Sequence, residues 1–351
     1  MRVLMITQRL DERDWLVSVI PRWINALAQQ VDALDVLALE IGQYAPPANV
    51  RLHSMGKERG RSKIGKALAF YQAVLPLIGR VDAVFVHMIP RYALMVGPPA
   101  LLARKPLALW YAHRHASLQL RLALPFCWRV ITSAPNTFPL PTGKVRVVGQ
   151  GIDMDFYSPK DDSGAPQRPT IIHVARLMPI KHQATLLRAV AAGVDADVCL
   201  IGDVPERQSA AYVEQLKSLA QELGIAKQVT FAGGLPPDAV RDWYRCAAVA
   251  VNLSPPGLFD KAALESMAAG VPTVVSRNPA FEPLLGEDAP RLQVESPDDV
   301  AGLATRLRAL LALTSEERTA IGLALRRRVQ ASHSLERLIP RLVNVLKTGE
   351  P

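Results

Sequence analysis

Residues 254–276 read SPPGLFDKAALESMAAGVPTVVS. The run before them, Ala247-Ala248-Val249-Ala250-Val251-Asn252-Leu253, has the length and content of a buried strand. Pro255-Pro256-Gly257 ends that strand. Asp260 then stands where its side chain can cap a helix reaching about Ala269, and Gly270 can close the helix. Val271–Val275 reads as the next strand. Strand, turn, short helix and strand make one parallel βαβ unit. Its loop lies at the strand's carboxyl end, where open α/β sheets gather ligands. Lys261 and Glu265, four apart, share a face of the helix. Spacing alone leaves two readings: a cap with an exposed ion pair worth roughly 0.2–0.5 kcal/mol, or a polar set turned towards a ligand.

The same alternation recurs outward from this unit. In the first half, Arg2–Thr7, Val36–Leu39, Val81–Met88, Leu107–Ala112, Val130–Thr132 and Val145–Val148 read as strands. Amphipathic helices are expected at about Trp15–Gln30 and at Ser62–Leu75, whereas Val50–Met55 makes a poor buried strand. In the second half, strands are expected at Ile171–Ala175, Asp197–Ile201 and Val229–Phe231. Helices follow at His182–Ala191 and Arg241–Cys246, with mixed-charge helices from Asp298 to Lys347. Hydrophobic strands separated by helices predict a doubly wound α/β class. No internal repeat or low-complexity segment is evident.

At 351 residues and 49% hydrophobic content, the chain suggests about two domains with ample cores. Cys127, Cys199 and Cys246 are far apart and odd in number, so neither a disulfide framework nor a zinc spacing follows, and a reduced cytosol fits. MRVLMIT enters a strand-like run directly, unlike a signal peptide, and no uncharged apolar run is long enough to span a bilayer. The net charge of +9 is placed unevenly. Residues 1–168 hold 21 Lys and Arg against 12 Asp and Glu, and residues 169–351 hold 20 against 20. A basic first half suits nucleic acid, an anionic membrane, acidic ligands or a merely solvated face. No nucleic-acid recognition motif accompanies it, which argues against a nucleic-acid partner. Lys63 and Lys66, near the start of the 62–75 helix, let that helix lie on anionic lipid or in solvent.

Several smaller patterns bear on chemistry. Gly60-Arg61-Ser62-Lys63-Ile64-Gly65-Lys66-Ala67 is one residue from a P-loop, but Ala67 has no hydroxyl for Mg²⁺, which argues against nucleotide hydrolysis. Arg176 is the first residue beyond a strand and Lys181 begins the next helix, two positions that suit a diphosphate. His113 ends a strand, where a histidine serves either structure or a ligand; His87 and His115 are weaker candidates. Asp195-Ala196-Asp197 lies at a strand's amino end and makes a poor metal site.

LFDKAALESMAAGVPTVVS resembles the donor-site segment of family 4 glycosyltransferases, the retaining GT-B type. Their common form is Glu-Gly-Phe-Gly, four residues, Glu-Ala-Met-Ala, then Gly-x-Pro and a strand. Glu265 matches the second glutamate and Gly257 stands at the first, while Asp260-Lys261 is similar to an Asp-Lys-x-x-Leu-Glu-x-Met-Ala variant. FVHMIPRYALMVG, LALWYAHRH and TSAPNTF follow the same subfamily loosely but in order, and residues 148–156 resemble its entry into the second domain. By that match Asp153-Met154-Asp155 is a linker and not a metal site. Arg176 and Lys181 resemble the cations that hold a nucleotide-sugar diphosphate, with Ala175 and His182 replacing the family's two glycines. LIGD at 200–203 and the 229–254 segment resemble the base- and ribose-binding region, which contains Gly202 and Gly233, and Glu282 matches a further donor-side glutamate.

The resemblance implies a GT-B fold: two Rossmann-like doubly wound parallel-sheet domains facing across a cleft. Residues 1–160, with a crossing helix at about 333–351, would form the acceptor side, and 161–332 the nucleotide-sugar side. It implies a retaining, metal-independent glycosyltransferase with no cofactor beyond its nucleotide-sugar donor. His113, Asp260 and Lys261 would be catalytic, the last two replacing the missing glutamate near the sugar. Arg176, Lys181, Gly202, Gly233, Glu265 and Glu282 would bind the donor, and Asp11 and Asp14 would lie near the acceptor. The acceptor would be a glycan or a lipid-linked molecule in cell-envelope polysaccharide or glycolipid synthesis, with the protein cytoplasmic or peripheral on the inner face of the cytoplasmic membrane. A GT-B epimerase, a phosphorylase, a non-catalytic sugar-nucleotide binder and a nucleic-acid binder are the competing readings.

Overall fold

The computed structural model describes residues 1–351 except 15, 16, 18, 160–167 and 205–210. The expected helix start at Trp15 and the expected junction at 160–161 lie outside the described residues. The chain divides into two compact units, Met1–Gly151 with His333–Pro351, and Ile152–Ser332.

The first unit is built on strands β1 (Arg2–Leu10), β2 (Ala33–Ile41), β3 (Val50–Ser54), β4 (Ala83–His87), β5 (Leu107–Trp110), β6 (Arg129–Thr132) and β7 (Val145–Val147). Among the described residues they form one parallel sheet in the order β3-β2-β1-β4-β5-β6-β7. Helices α1 (Val19–Ala28), α2 (Lys63–Ile78), α3 (Pro90–Leu102) and α4 (Leu118–Ala123) connect them. The central strands are apolar on both sides because helices cover both faces of the sheet. Successive residues of β1 show this: Val3 and Met5 enter the core under α1, while Leu4 and Ile6 pack with Phe70 and Val74 of α2 and Val96 of α3. β3 differs from the sequence expectation for an instructive reason. It forms an edge strand paired with β2, so backbone pairing and not burial sustains it, and Val50 is its one buried residue. α2 begins where Ser62 caps it, the hydroxyl accepting from the Gly65 N–H at 3.1 Å, and runs past Leu75 to Ile78.

The second unit has strands β8 (Thr170–Val174), β9 (Asp197–Ile201), β10 (Val229–Gly233), β11 (Val249–Asn252), β12 (Thr273–Ser276) and β13 (Gln293–Val294). They form a second parallel sheet, in the order β10-β9-β8-β11-β12-β13. Its helices are α5 (Gln183–Ala191), α6 (Ala211–Glu222), α7 (Pro237–Cys246), α8 (Lys261–Ala268), α9 (Glu282–Leu285), α10 (Ala289–Leu292), α11 (Val300–Leu311) and α12 (Ser315–His333). The last helix, α13 (Leu335–Thr348), belongs to the first unit, where Leu338, Leu342 and Leu346 pack with α1 residues in the core. In each sheet the strand order reverses direction once, between β1 and β4 and between β8 and β11. The loops that leave two such strands part to opposite sides and open a crevice at their carboxyl ends.

Gly322, on the buried side of α12, is where two backbones meet. A Cβ there would sit 1.7 Å from the carbonyl oxygen of Gly270, an atom that no side-chain rotation can move aside. Gly322→Ala is therefore expected to cost about 2 kcal/mol by overpacking, seen as a lower urea midpoint for the second unit with an unchanged slope.

Candidate functional site

The β8/β11 crevice is where the second unit's polar side chains converge. Beyond β8 the chain makes a one-turn 3₁₀ helix, Pro179–Lys181, so Lys181 ends a tight turn ahead of α5. Beyond β11 the chain turns through Ser254 and Gly257 before α8. The Lys181 ammonium is ion-paired with Asp260 and lies 3.0 Å from the Ser254 hydroxyl, which in turn donates to Asp260 at 2.9 Å. The side chains are 11% and 18% exposed, so this is a largely dry ion pair across the switch point. Burial alone would raise the Asp260 carboxyl. The Lys181 charge and hydrogen bonds from Lys181, Asn252 and Ser254 outweigh burial and hold it at about 2.

The turn that carries Lys181 is tied down from below. His173, buried on β8, places Nε2 3.1 Å from the Lys181 carbonyl oxygen, so Nε2 carries the hydrogen and donates. Burial and the Lys181 charge push the His173 ring down to about 4, keeping it neutral. The Gln183 side chain donates to the Arg176 carbonyl at 3.0 Å, and Ser276 donates to the Ser254 carbonyl at 2.6 Å. These supports, with Asn252 and Ser254, were not singled out from the sequence. The available signal was a pair of polar residues, Asn252 and Ser254, closing an otherwise apolar strand.

The other expected residues fall as follows. Asp260 occupies the cap position of α8, but its carboxylate makes no capping hydrogen bond because Lys181 and Ser254 take it. Lys261 and Glu265 form an ion pair at 3.0 Å, with Glu265 buried in α8 and Lys261 more open. Arg176 is exposed just past the end of β8 and among the described residues makes no ion pair. Gly202 and Gly233 meet each other, the Gly202 N–H donating to the Gly233 carbonyl at 2.8 Å. A Cβ on Gly202 would lie 2.0 Å from the Ala175 carbonyl oxygen, so the close approach this glycine permits is to the end of β8. Glu282 is exposed at the start of α9. In the first unit, Asp14 and Asp11 both pair with Arg9, at 2.6 and 3.9 Å. His113 follows β5, exposed, and its Nδ1 accepts from the His115 N–H at 3.0 Å, so the neutral ring presents its hydrogen at Nε2. His87 is enclosed by Trp23 and Trp110, and burial pulls it down to about 4. Among the described residues, no three His, Cys, Asp or Glu side chains gather as a metal site would require.

Residues 168–313, which contain this cluster, match the family described as Glycosyl transferases group 1. The second unit carries a group 1 glycosyl transferase domain. The chain is also similar to named relatives. The D-inositol 3-phosphate glycosyltransferase of Thermomonospora curvata is 32% identical over 188 residues, covering 47% of this chain and 43% of that protein. The chain thus matches less than half the length of the curated relatives. Among solved structures, Anabaena Alr3699/HepE in complex with UDP and glucose superimposes with a TM-score of 0.80 at 16% identity, over 99% of this chain and 100% of that one. Sucrose-phosphate synthase from Thermosynechococcus elongatus gives 0.75 at 18% identity, over 98% of each chain. The fold is GT-B.

The Asp260 carboxyl sets a pH dependence with a definite sign. Its folded value of about 2 lies below the ordinary 3.8. The unfolded chain takes up the proton first as pH falls. The stabilisation is fully present above about pH 4 and is lost as pH drops through the folded value. Asp260→Asn is expected to cost about 2 kcal/mol at pH 7, and the difference from wild type should shrink as urea melts are moved from about pH 5 to about pH 3.

Proposed function

We propose that the protein is a retaining, metal-independent glycosyltransferase that moves a sugar from a nucleotide-diphosphate sugar to a glycan or lipid-linked acceptor. The observation that carries this reading is the Lys181–Asp260–Ser254 cluster at the switch point, beside Arg176 and within the segment that matches the family. An ammonium has three donors. Those of Lys181 that are not directed to Asp260 and Ser254 are available to a phosphate oxygen. Arg176, exposed at the strand end, can grip two more oxygens with its planar fork. Together the two cations would neutralise the diphosphate as it leaves, stabilising charge that grows in the transition state. Glu265, half of whose carboxylate is engaged by Lys261, has an oxygen for ribose hydroxyls. Gly202, Gly233 and Glu282 complete the donor side of the proposal, and His113, Asp11 and Asp14 the acceptor side. Asp260 is assigned a part in setting the Lys181 ammonium, and Lys261 a place near the sugar.

The Anabaena neighbour's complex with UDP and glucose makes a uridine donor the first to test. The reading extends to cell-envelope polysaccharide or glycolipid synthesis, with the protein peripheral on the inner face of the cytoplasmic membrane. The basic first half supports that extension. One observation favours a second reading, a non-catalytic sugar-nucleotide binder: Gly257 stands where the family's first glutamate is expected, and its φ of 85° suits glycine.

The test is a metal-free thermal-shift panel of UDP-, GDP-, ADP- and dTDP-sugars, followed by donor-hydrolysis and transfer assays. One donor is expected to raise Tm, with the shift lost in Arg176→Ala/Lys181→Ala. Each single substitution should lower kcat/KM about a hundredfold, and His113→Ala should lower kcat with the donor shift intact. A shift without turnover would select the binder. No shift from folded protein would remove both readings.

A further inference from the structure

The first unit's two helical layers differ sharply. On one face of the sheet, α1 and α13 carry no large exposed apolar side chain among the described residues. On the other, α2, α3 and α4 carry eight of the eleven that the described residues expose: Ile64, Leu68, Tyr71 and Leu75 on α2, Leu101 and Leu102 on α3, and Leu118 and Leu122 on α4. Leu102 is 87% exposed and Ile64 75%. The α2 residues lie at i, i+4, i+7 and i+11, a single exposed stripe beside the face that buries Phe70 and Val74. The three helices form one layer. Their inner sides share a core with β4 and β5, and Tyr71 of α2 places its hydroxyl 3.4 Å from the Met95 carbonyl of α3.

Charge follows the same layer. Residues 59–152 contain thirteen Lys and Arg and one acid, Asp82. α2, α3 and α4 contain no acid, while Lys63, Lys66, Arg91 and Arg121 lie on them and Arg104 and Lys105 follow α3. No helix among the described residues is long and apolar enough to cross a membrane. Apolar side chains that stand out from helices carrying lysines and arginines and no acid match the boundary between acyl chains and anionic headgroups. Long basic side chains reach the headgroups while the leucines enter the acyl region. Two copies joined by this face would bring like charges together, and a nucleic-acid backbone would leave the leucines without an apolar partner.

We propose that the outward side of the α2–α3–α4 layer is a docking surface for an anionic lipid bilayer. This deepens the membrane part of the reading above and rests on that part alone, not on the transfer chemistry.

The test is co-sedimentation of the full chain with vesicles of phosphatidylcholine alone or mixed with phosphatidylglycerol, at low and high salt. Ile64→Ser/Leu68→Ser/Leu75→Ser and Lys63→Ser/Lys66→Ser are compared with wild type, with circular dichroism and the donor thermal shift as controls. Wild type is expected to bind the phosphatidylglycerol vesicles and not the neutral ones, and to release at high salt. Each variant should bind about fivefold less or weaker still, with the donor shift unchanged. If the leucine variant misfolds, the lysine variant decides. Equal binding to both vesicle types, binding to neither, or wild-type binding by a folded variant would overturn the inference. So would a dimer that the serine substitutions break in a protein that ignores vesicles. Vesicle binding without a donor response would retain this surface and remove the glycosyltransferase reading, and a donor response without vesicle binding would do the reverse.

Discussion

The ion pair between Lys181 and Asp260 joins two loops that leave neighbouring strands in opposite directions. One follows β8 and the other follows β11, and nothing in their local sequence makes them meet. The pair holds because each charge, once out of water, has a high cost unless the other is present. Ser254 shares both partners, His173 anchors the Lys181 carbonyl from the core, and Ser276 anchors Ser254. The cation at the crevice is therefore held by its backbone as well as by its charge. On the proposed reading, in which this ammonium meets a phosphate, such support leaves less reorganisation for the moment of binding.

Much of this arrangement could be read in the chain itself. Parallel strands buried on both sides are continuous apolar runs, and β1, β9, β11 and β12 stood out on that ground. The 261–268 helix and its closing glycine were equally plain, since Gly270 takes a φ of 78°. The edge strand β3 was obscure because its stability comes from pairing with β2, which no periodicity reports. At the site, the residue types on each loop were visible but their partners were not. Asp260 looks like a helix cap in any local reading, and Lys181, seventy-nine residues earlier, is what takes its carboxylate. His173 was hidden for a similar reason: on an apolar strand the sequence shows that a histidine is buried but not which carbonyl it faces.

Gly257 shows how a motif departure can be a backbone matter. Its φ of 85° lies in the left-handed region, where a glutamate would be strained. The loop takes a path that suits glycine, and the charged residues that follow it most closely are Asp260 and Lys261, at the start of α8. Restoring a glutamate at 257 would thus add strain as well as a carboxylate.

The return of α13 to the first unit has a consequence for how the chain is made. Leu338, Ile339, Leu342 and Leu346 fill the core beneath one face of the first sheet, and Arg129 donates to the Gly349 carbonyl at 2.8 Å. A ribosome delivers residues in order. The second unit, ending at Ser332, is complete in sequence before the first can close. Until the final helix emerges, Trp23, Ile24 and Leu27 belong to a face that lacks its cover. The half of the protein synthesised first is thus the last to be finished, and its nascent form presents an apolar surface for as long as the second half takes to be translated.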